Sequence, residues 1–182
     1  SLIVNNFVIS TSDDALRLAG DVGETDVLHN TLLGDPAIYF EDIQSGLRVV
    51  NNILASNTDF TLEHADADPL DSLDFNIYYT PASNTNFAEV GGIDFTDLAD
   101  LQANFTGNNN SLQGDPIFIS ATDLHVLGAL ADSSATPFGI MMDIDGDTRN
   151  MNFPDIGADE FDIFGNDAGI TAFDLNSICP GN

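Results

Sequence analysis

The chain has 182 residues, 43% of them apolar, enough for one sizeable core, and a formal charge of −27. It has no lysine, and Arg17, Arg48 and Arg149 are its only cations besides three histidines, so it lacks the clustered positive charge that nucleic-acid binding needs. The same balance disfavours anionic membranes and polyanionic glycans unless divalent cations bridge the partners, and it suits the highly solvated surface of a secreted protein.

No apolar run approaches the ~20 residues of a membrane span, so membrane insertion is not expected. The single cysteine, Cys179, cannot form an internal disulfide. The chain opens inside an apolar run, "SLIVNNFVIS", with no visible signal peptide, and reads as a piece of a longer protein.

From the first residues onward, one short pattern recurs. "LIVNNFVIS" places Asn6, "DVLHNTLLG" places Asn30, "RVVNNILAS" places Asn52 and "LDFNIYYTP" places Asn76. The intervals are 24 (6 to 30), 22 (30 to 52) and 24 (52 to 76) residues. Each is followed by a second apolar run: "ALRLAG", "AIYFED", "FTLEHA" and "FAEVGG".

Two or three short strands per period, with no helix inside it, is the requirement of a parallel β-helix whose rungs stack ~4.8 Å apart. Asn tolerates the left-handed backbone of a sharp corner, and stacked carboxamides bond from rung to rung. The second residue of each pair is therefore assigned to the corner, with the first facing solvent. A leucine-rich repeat shares the period but would need L-x-x-L-x-L-x-x-N, whereas β-branched or mixed residues precede each Asn here.

Beyond "GGI" the pattern changes. "FTDLADLQANFTG" spaces Leu98, Leu101 and Phe105 at helical intervals, with Thr96 as N-cap and Gly107 beyond the end. A strand-like pattern then resumes, through Ser111, Asp115, Pro116, Phe118 and "DLHVL" at 123–127. "DIDGDTRNMNFPDIGADEF" at 143–161 follows, with Arg149 the one cation among many acids.

A cap over the open end of the β-helix would protect unpaired strand edges, and an ion pair of Arg149 with Asp155 or Glu160 would fix it. A Ca²⁺ site at Asp143, Asp145 and Asp147 is the alternative, since alternating carboxylates begin an oxygen cage. It would not be an EF-hand, because Thr148 and Pro154 stand where Gly and Glu are required.

These motifs carry a resemblance to right-handed parallel β-helix proteins of the pectate-lyase-like superfamily, in the form found on Bacteroidetes surface and secreted proteins. The "DLH" stretch and the "D-x-DG-x-x-R … DIGA-x-E" ending, through Asp143, Asp145, Gly146, Arg149, Asp155, Ile156, Gly157, Ala158 and Glu160, are its most specific part. The resemblance implies an all-β solenoid over 1–164, with one short inserted helix, last coils after it and a C-terminal cap. "DAGI" and "CPGN" within 165–182 resemble the linker and first strand of an immunoglobulin-like β-sandwich module.

Enzymes of that superfamily act on acidic polysaccharides, the lyases with Ca²⁺ and an Arg or Lys base. Arg17 or Arg48 near Asp13, Asp14 or Asp42 could fill that part, or both could be surface residues pairing with excess acids. His29, His64 and His125 are not at metal-ligand spacing, and no phosphate loop or nucleophile triad is present, so no catalytic residue is assigned.

The expected function is a non-catalytic structural or adhesive module of a large exported cell-surface protein, of the attachment or gliding type exported by the type IX pathway. Its partners would be a surface glycan, other cell-surface or secretion proteins, and flanking domains of the same chain. The end of a polysaccharide lyase or hydrolase, and a carbohydrate-binding β-helix without catalysis, stand as alternatives.

Overall fold

The computed structural model describes residues 1–20, 23–42, 46–66, 70–105 and 107–162. The immunoglobulin-like segment expected at 165–182, with Cys179, lies outside them.

The fold is a parallel β-solenoid. Its first rung is β1 (Leu2–Val4), β2 (Phe7–Ile9) and β3 (Leu16–Leu18), and its second is β4 (Thr25–Leu28), β5 (Thr31–Leu33) and β6 (Ile38–Phe40). The third is β7 (Leu47–Val50), β8 (Ile53–Ala55) and β9 (Leu62–His64), and the fourth is β10 (Ser72–Asp74), β11 (Ile77–Tyr79) and β12 (Ala88–Val90). Like strands stack into three parallel sheets in strict register: Val4 beside Leu28 beside Val50 beside Asp74, and Phe7 beside Thr31 beside Ile53 beside Ile77.

The period-2 alternation of short strands decides what each sheet buries. Val27, Val49 and Leu73 point inward from the first sheet, Leu32, Leu54 and Tyr78 from the second, and Phe40, Leu62 and Ala88 from the third, into one core. On the first and third sheets polar alternate residues face outward, as with Asp26, Arg48, Glu63 and Glu89, although Leu28 and Val50 at the corner end of the first sheet are buried. The second sheet differs. Residues of both faces are buried in β5 and β8, because a second layer covers its outside.

The corner between the first two sheets departs from expectation in one respect. The left-handed residues are Asn5 (φ 54°), His29 (φ 50°), Asn51 (φ 62°) and Phe75 (φ 54°), one position before the laddered asparagines. Nor does the first asparagine of a pair always face solvent, since Asn51 is buried, as is His29 at the equivalent position. The turn at the first position swings the following carboxamide beneath the corner, where it serves the backbone of two rungs.

One end of the solenoid is closed. The Gly91–Gly92 turn reverses the chain, so β13 (Ile93–Phe95) pairs antiparallel to β12. Helix α1 (Leu98–Asn104) follows, capped by the Asp97 carboxylate, which accepts from the Asp100 N–H, and not by Thr96. Leu98, Leu101 and Phe105 join the solenoid core, so this helix performs the closure expected of the later motif. The two-residue β14 (Leu112–Gln113) then adds a strand to the second sheet.

Residues 115–162 do not wind further coils, and the 143–161 motif is not an end cap. The hairpin of β15 (Phe118–Ser120) and β16 (Asp123–Val126) and the irregular strap after it lie along the outside of the second sheet. Ile156, Val126, Ala131 and Ala135 pack on Ile53 and Ile77, and Leu124 packs with Leu33 and Ala55. The apolar outer face of that sheet holds the chain there, because leaving Ile53, Ile77, Leu33 and Ala55 in water would be unfavourable.

Candidate functional site

The ladder runs through Asn6, Asn30, Asn52 and Asn76. Each side-chain oxygen accepts twice from the preceding member: Asn30 Oδ1 from the Asn6 N–H (3.1 Å) and Nδ2 (2.8 Å), and Asn52 Oδ1 from Asn30 at 2.9 and 3.0 Å. Asn76 Oδ1 accepts from Asn52 at 2.9 and 3.1 Å. The amide nitrogens also donate to carbonyls of the rung before, Asn52 to Val27 and Asn76 to Val49, both at 2.9 Å. Ser111 ends the row: its Oγ accepts from the Asn76 N–H at 3.0 Å and donates to Asn108 Oδ1. The buried carboxamides of Asn30, Asn52 and Asn76 are thereby matched along the solenoid axis.

The corner residues one position earlier hold the strap. Asn51 clamps Thr136, its Oδ1 accepting from the N–H at 3.0 Å and its Nδ2 donating to the carbonyl at 2.7 Å, while its own carbonyl accepts from the Gly157 N–H at 2.9 Å. Asn5 Nδ2 donates to the Met142 carbonyl at 2.6 Å, and Thr31 Oγ1 accepts from the Ala158 N–H at 3.0 Å. Gly157 sits so close that an added Cβ would stand 2.8 Å from Ile53 Cδ1 and 2.9 Å from Thr31 Oγ1, and its φ of +107° favours glycine as well.

Arg149 is the centre of this seam and is 1% exposed. It donates from Nη2 to the carbonyls of Gly157 (2.9 Å) and Ala158 (2.8 Å) and to Asn5 Oδ1 (3.1 Å), and from Nη1 to Glu160 Oε2 (3.2 Å). Of the two candidate partners, Glu160 supplies the ion pair. Asp155 contributes its main-chain carbonyl at 3.5 Å, while its carboxylate accepts from the Ser133 and Phe161 N–H groups at 2.6 and 2.7 Å.

Burial raises the Asp155 carboxyl to about 7, against those hydrogen bonds. His29 is buried beside Arg149, its Nε2 accepts from Asn51 Nδ2 at 2.9 Å, and it is pushed down to about 3, first by burial and then by the guanidinium. Arg149 is thus a structural clasp.

The three acids proposed for Ca²⁺ are divided among different tasks. Asp143 Oδ1 accepts from the Asp145 and Asp147 N–H groups at 3.0 and 2.8 Å, and Oδ2 from the Glu160 N–H at 3.0 Å, so this carboxylate closes a turn and ties it to the strap. Asp147 lines an open cleft of about 590 Å³ with Thr148, Asn150, Glu160, Phe161 and Asp162. Asp145 points instead toward β16, where its Oδ2 lies 2.8 Å from His125 Nε2.

Among the described residues one trio of ligand-type atoms converges: those of His125, Asp145 and Asp159 lie within 4.8 Å of one another. Isolation of the histidines in sequence concealed it, since 20 residues separate His125 from Asp145. The other ring nitrogen of His125 bonds the Asp123 carboxylate.

Arg17 and Arg48 stand apart, on different sheets. Arg17 stacks 4.3 Å over the Tyr39 ring and pairs with Glu41 (3.2 Å) and Asp14 (3.7 Å). Arg48 makes a two-pronged bond to Asp26 at 2.5 and 2.6 Å. Asp13 and Asp42 accept from main-chain N–H groups, of Asp14 and Gly20. His64 points into the core between the rings of Phe40 and Phe105.

Comparison with family models, curated proteins and solved structures gives no match.

Proposed function

We propose that this chain is a non-catalytic structural and adhesive module of a large exported cell-surface protein, of the kind that serves attachment or gliding. The relationship this rests on is the resemblance of the repeat and of the 143–161 motif to pectate-lyase-like β-helix proteins of Bacteroidetes surfaces. The supporting observation is how the arginines are used. Arg149 is buried as a clasp, and Arg17 and Arg48 are engaged by neighbouring acids on separate sheets. A lyase would need one of them free beside a cation-holding acid cluster.

In this role the ladder supplies rigidity along the axis and the acidic surface supplies solubility and calcium-dependent contact with surface glycans or neighbouring proteins. The test is incubation of the purified chain with alginate and pectin. Neither new reducing ends nor unsaturated products are expected, and either would overturn the reading in favour of a lyase or hydrolase.

The exposed face of the third sheet favours the carbohydrate-binding alternative. Arg17, Tyr39, Glu63 and Glu89 stand in register there, an aromatic ring flanked by hydrogen-bonding groups. A glycan array read with and without calcium separates that reading from a purely mechanical one.

A further inference from the structure

We propose that His125, Asp145 and Asp159 form a binding site for one divalent transition-metal ion of the Zn²⁺ type, which stitches the strap to the β15–β16 hairpin. The three groups come from separate pieces of chain. His125 lies on β16, Asp145 in the turn closed by Asp143, and Asp159 at the end of the strap beside Arg149. An imidazole nitrogen with two carboxylate oxygens suits a borderline cation and suits Ca²⁺ or Mg²⁺ poorly, since those take oxygen alone.

The spacing is that of a ligand set. His125 Nε2 and Asp145 Oδ2 are in direct hydrogen-bond contact at 2.8 Å, with the Asp159 carboxylate inside the same 4.8 Å envelope. An ion at ~2.0–2.1 Å from each would replace that hydrogen bond and part the two atoms to roughly 3–3.5 Å, a shift of a few tenths of an ångström.

Two observations besides the trio point to a ligand. Asp159 is 7% exposed, and its carboxylate accepts from the Val126 N–H over a long 3.4 Å with the His125 ring beside it, so a nearly buried carboxylate is aimed into the trio. Arg149 reaches only the Asp159 main-chain carbonyl, at 3.4 Å, and directs its other bonds into Glu160, Asn5 and main-chain carbonyls. His125 is also mounted as metal-binding imidazoles are. Asp123 holds Nδ1, which orients the ring and leaves Nε2 to face the carboxylates, and Phe7 packs edge-on against it at 4.8 Å.

Asp145 and Asp159 would be ligands and Asp123 a positioning residue. Three protein ligands leave a fourth position for water or an oxygen group of a partner.

The test is calorimetric titration of the chelator-stripped full chain with Zn²⁺ in ~0.15 M salt, where diffuse binding to surface acids is screened. One saturable equivalent is expected, not displaced by excess Ca²⁺. Asp145→Asn, at a half-exposed position that folding tolerates, and His125→Gln should each weaken binding at least tenfold, while Asp26→Asn, on the first sheet, leaves it unchanged. Asp123→Asn should weaken it roughly tenfold without moving the thermal midpoint of the metal-free chain. Absence of saturable binding, equal affinity in Asp145→Asn and His125→Gln, or displacement by Ca²⁺ at equal concentration would each overturn the assignment.

Discussion

The four rungs and the strap are stabilised by different means. In the rungs each interaction is repeated: an Asn in one coil does for its neighbour what the next Asn does for it, and every inward Leu, Val or Ile stacks on its counterpart one period away. The strap has no such redundancy. One guanidinium gathers the carbonyls of Asp155, Gly157, Ala158 and Asp159, the Glu160 carboxylate and the Asn5 side chain, and one glycine permits the contact with Thr31 and Ile53. Repetition spreads the load along the axis, whereas the flank concentrates it on single residues.

The sharpest way to break that comparison is Arg149→Ala. It leaves the Glu160 carboxylate and several strap carbonyls without their partner in a buried seam, a change that costs about 3–5 kcal/mol. Urea unfolding measures the loss, and hydrogen exchange should show strap amides released before those of the third and fourth rungs.

Asn52→Ala tests the other side. It removes the acceptor of the buried Asn30 N–H and a donor to two carbonyls, about 2–4 kcal/mol. The same change at Asn6, the exposed end of the ladder, should cost under about 1 kcal/mol. Equal effects at both positions would remove the case for a cooperative row. Gly157→Ala, forced against Ile53 at 2.8 Å, should lower stability by about 1–3 kcal/mol while leaving the far-ultraviolet signal of the rungs intact.

The pH dependence sharpens the picture of the seam. His29 has a folded pKa of about 3 against 6.5 unfolded, so its contribution is present above 6.5 and is lost as pH falls toward 3. Asp155 has a folded pKa of about 7 against 3.8, so its contribution is present below 3.8 and is lost as pH rises through 7. Between about pH 4 and 6 the two slopes oppose each other.

Asp155→Asn removes the falling one. Relative to the parent chain, stability of this variant should then rise with pH in that window, by up to about 1.4 kcal/mol per unit. A pH-independent difference between variant and parent would show that Asp155 is not the buried acid described. The smallest effect is expected of Arg17→Ala, whose exposed pairs with Glu41 and Asp14 are screened by solvent, and the unfolding midpoint should not move measurably.

Much of the solenoid was legible in the residues. The spacing of Asn6, Asn30, Asn52 and Asn76 fixes the coil length, and the second apolar runs mark the strands of the third sheet. The flank was half legible. "TLL", "ILA" and "IYY" lack the alternation of a one-sided strand, a sign that both faces of the second sheet are covered, though not by what. The solvent-facing direction expected of Asn5 and Asn51 fails for the same reason: the coil alone does not show the layer laid over it.

Sequence by itself determined the winding of the chain, because a period of about two dozen residues with a carboxamide at each bend satisfies backbone and core locally, rung upon rung. Only the tertiary structure decided where the 143–161 motif goes, which acid Arg149 takes and which carboxylates His125 meets. Those contacts join residues far apart along the chain, Asn5 with Arg149 and Thr31 with Ala158, and no periodicity records them. They are set by the apolar outer face of one sheet, whose burial chooses the side on which the strap must lie.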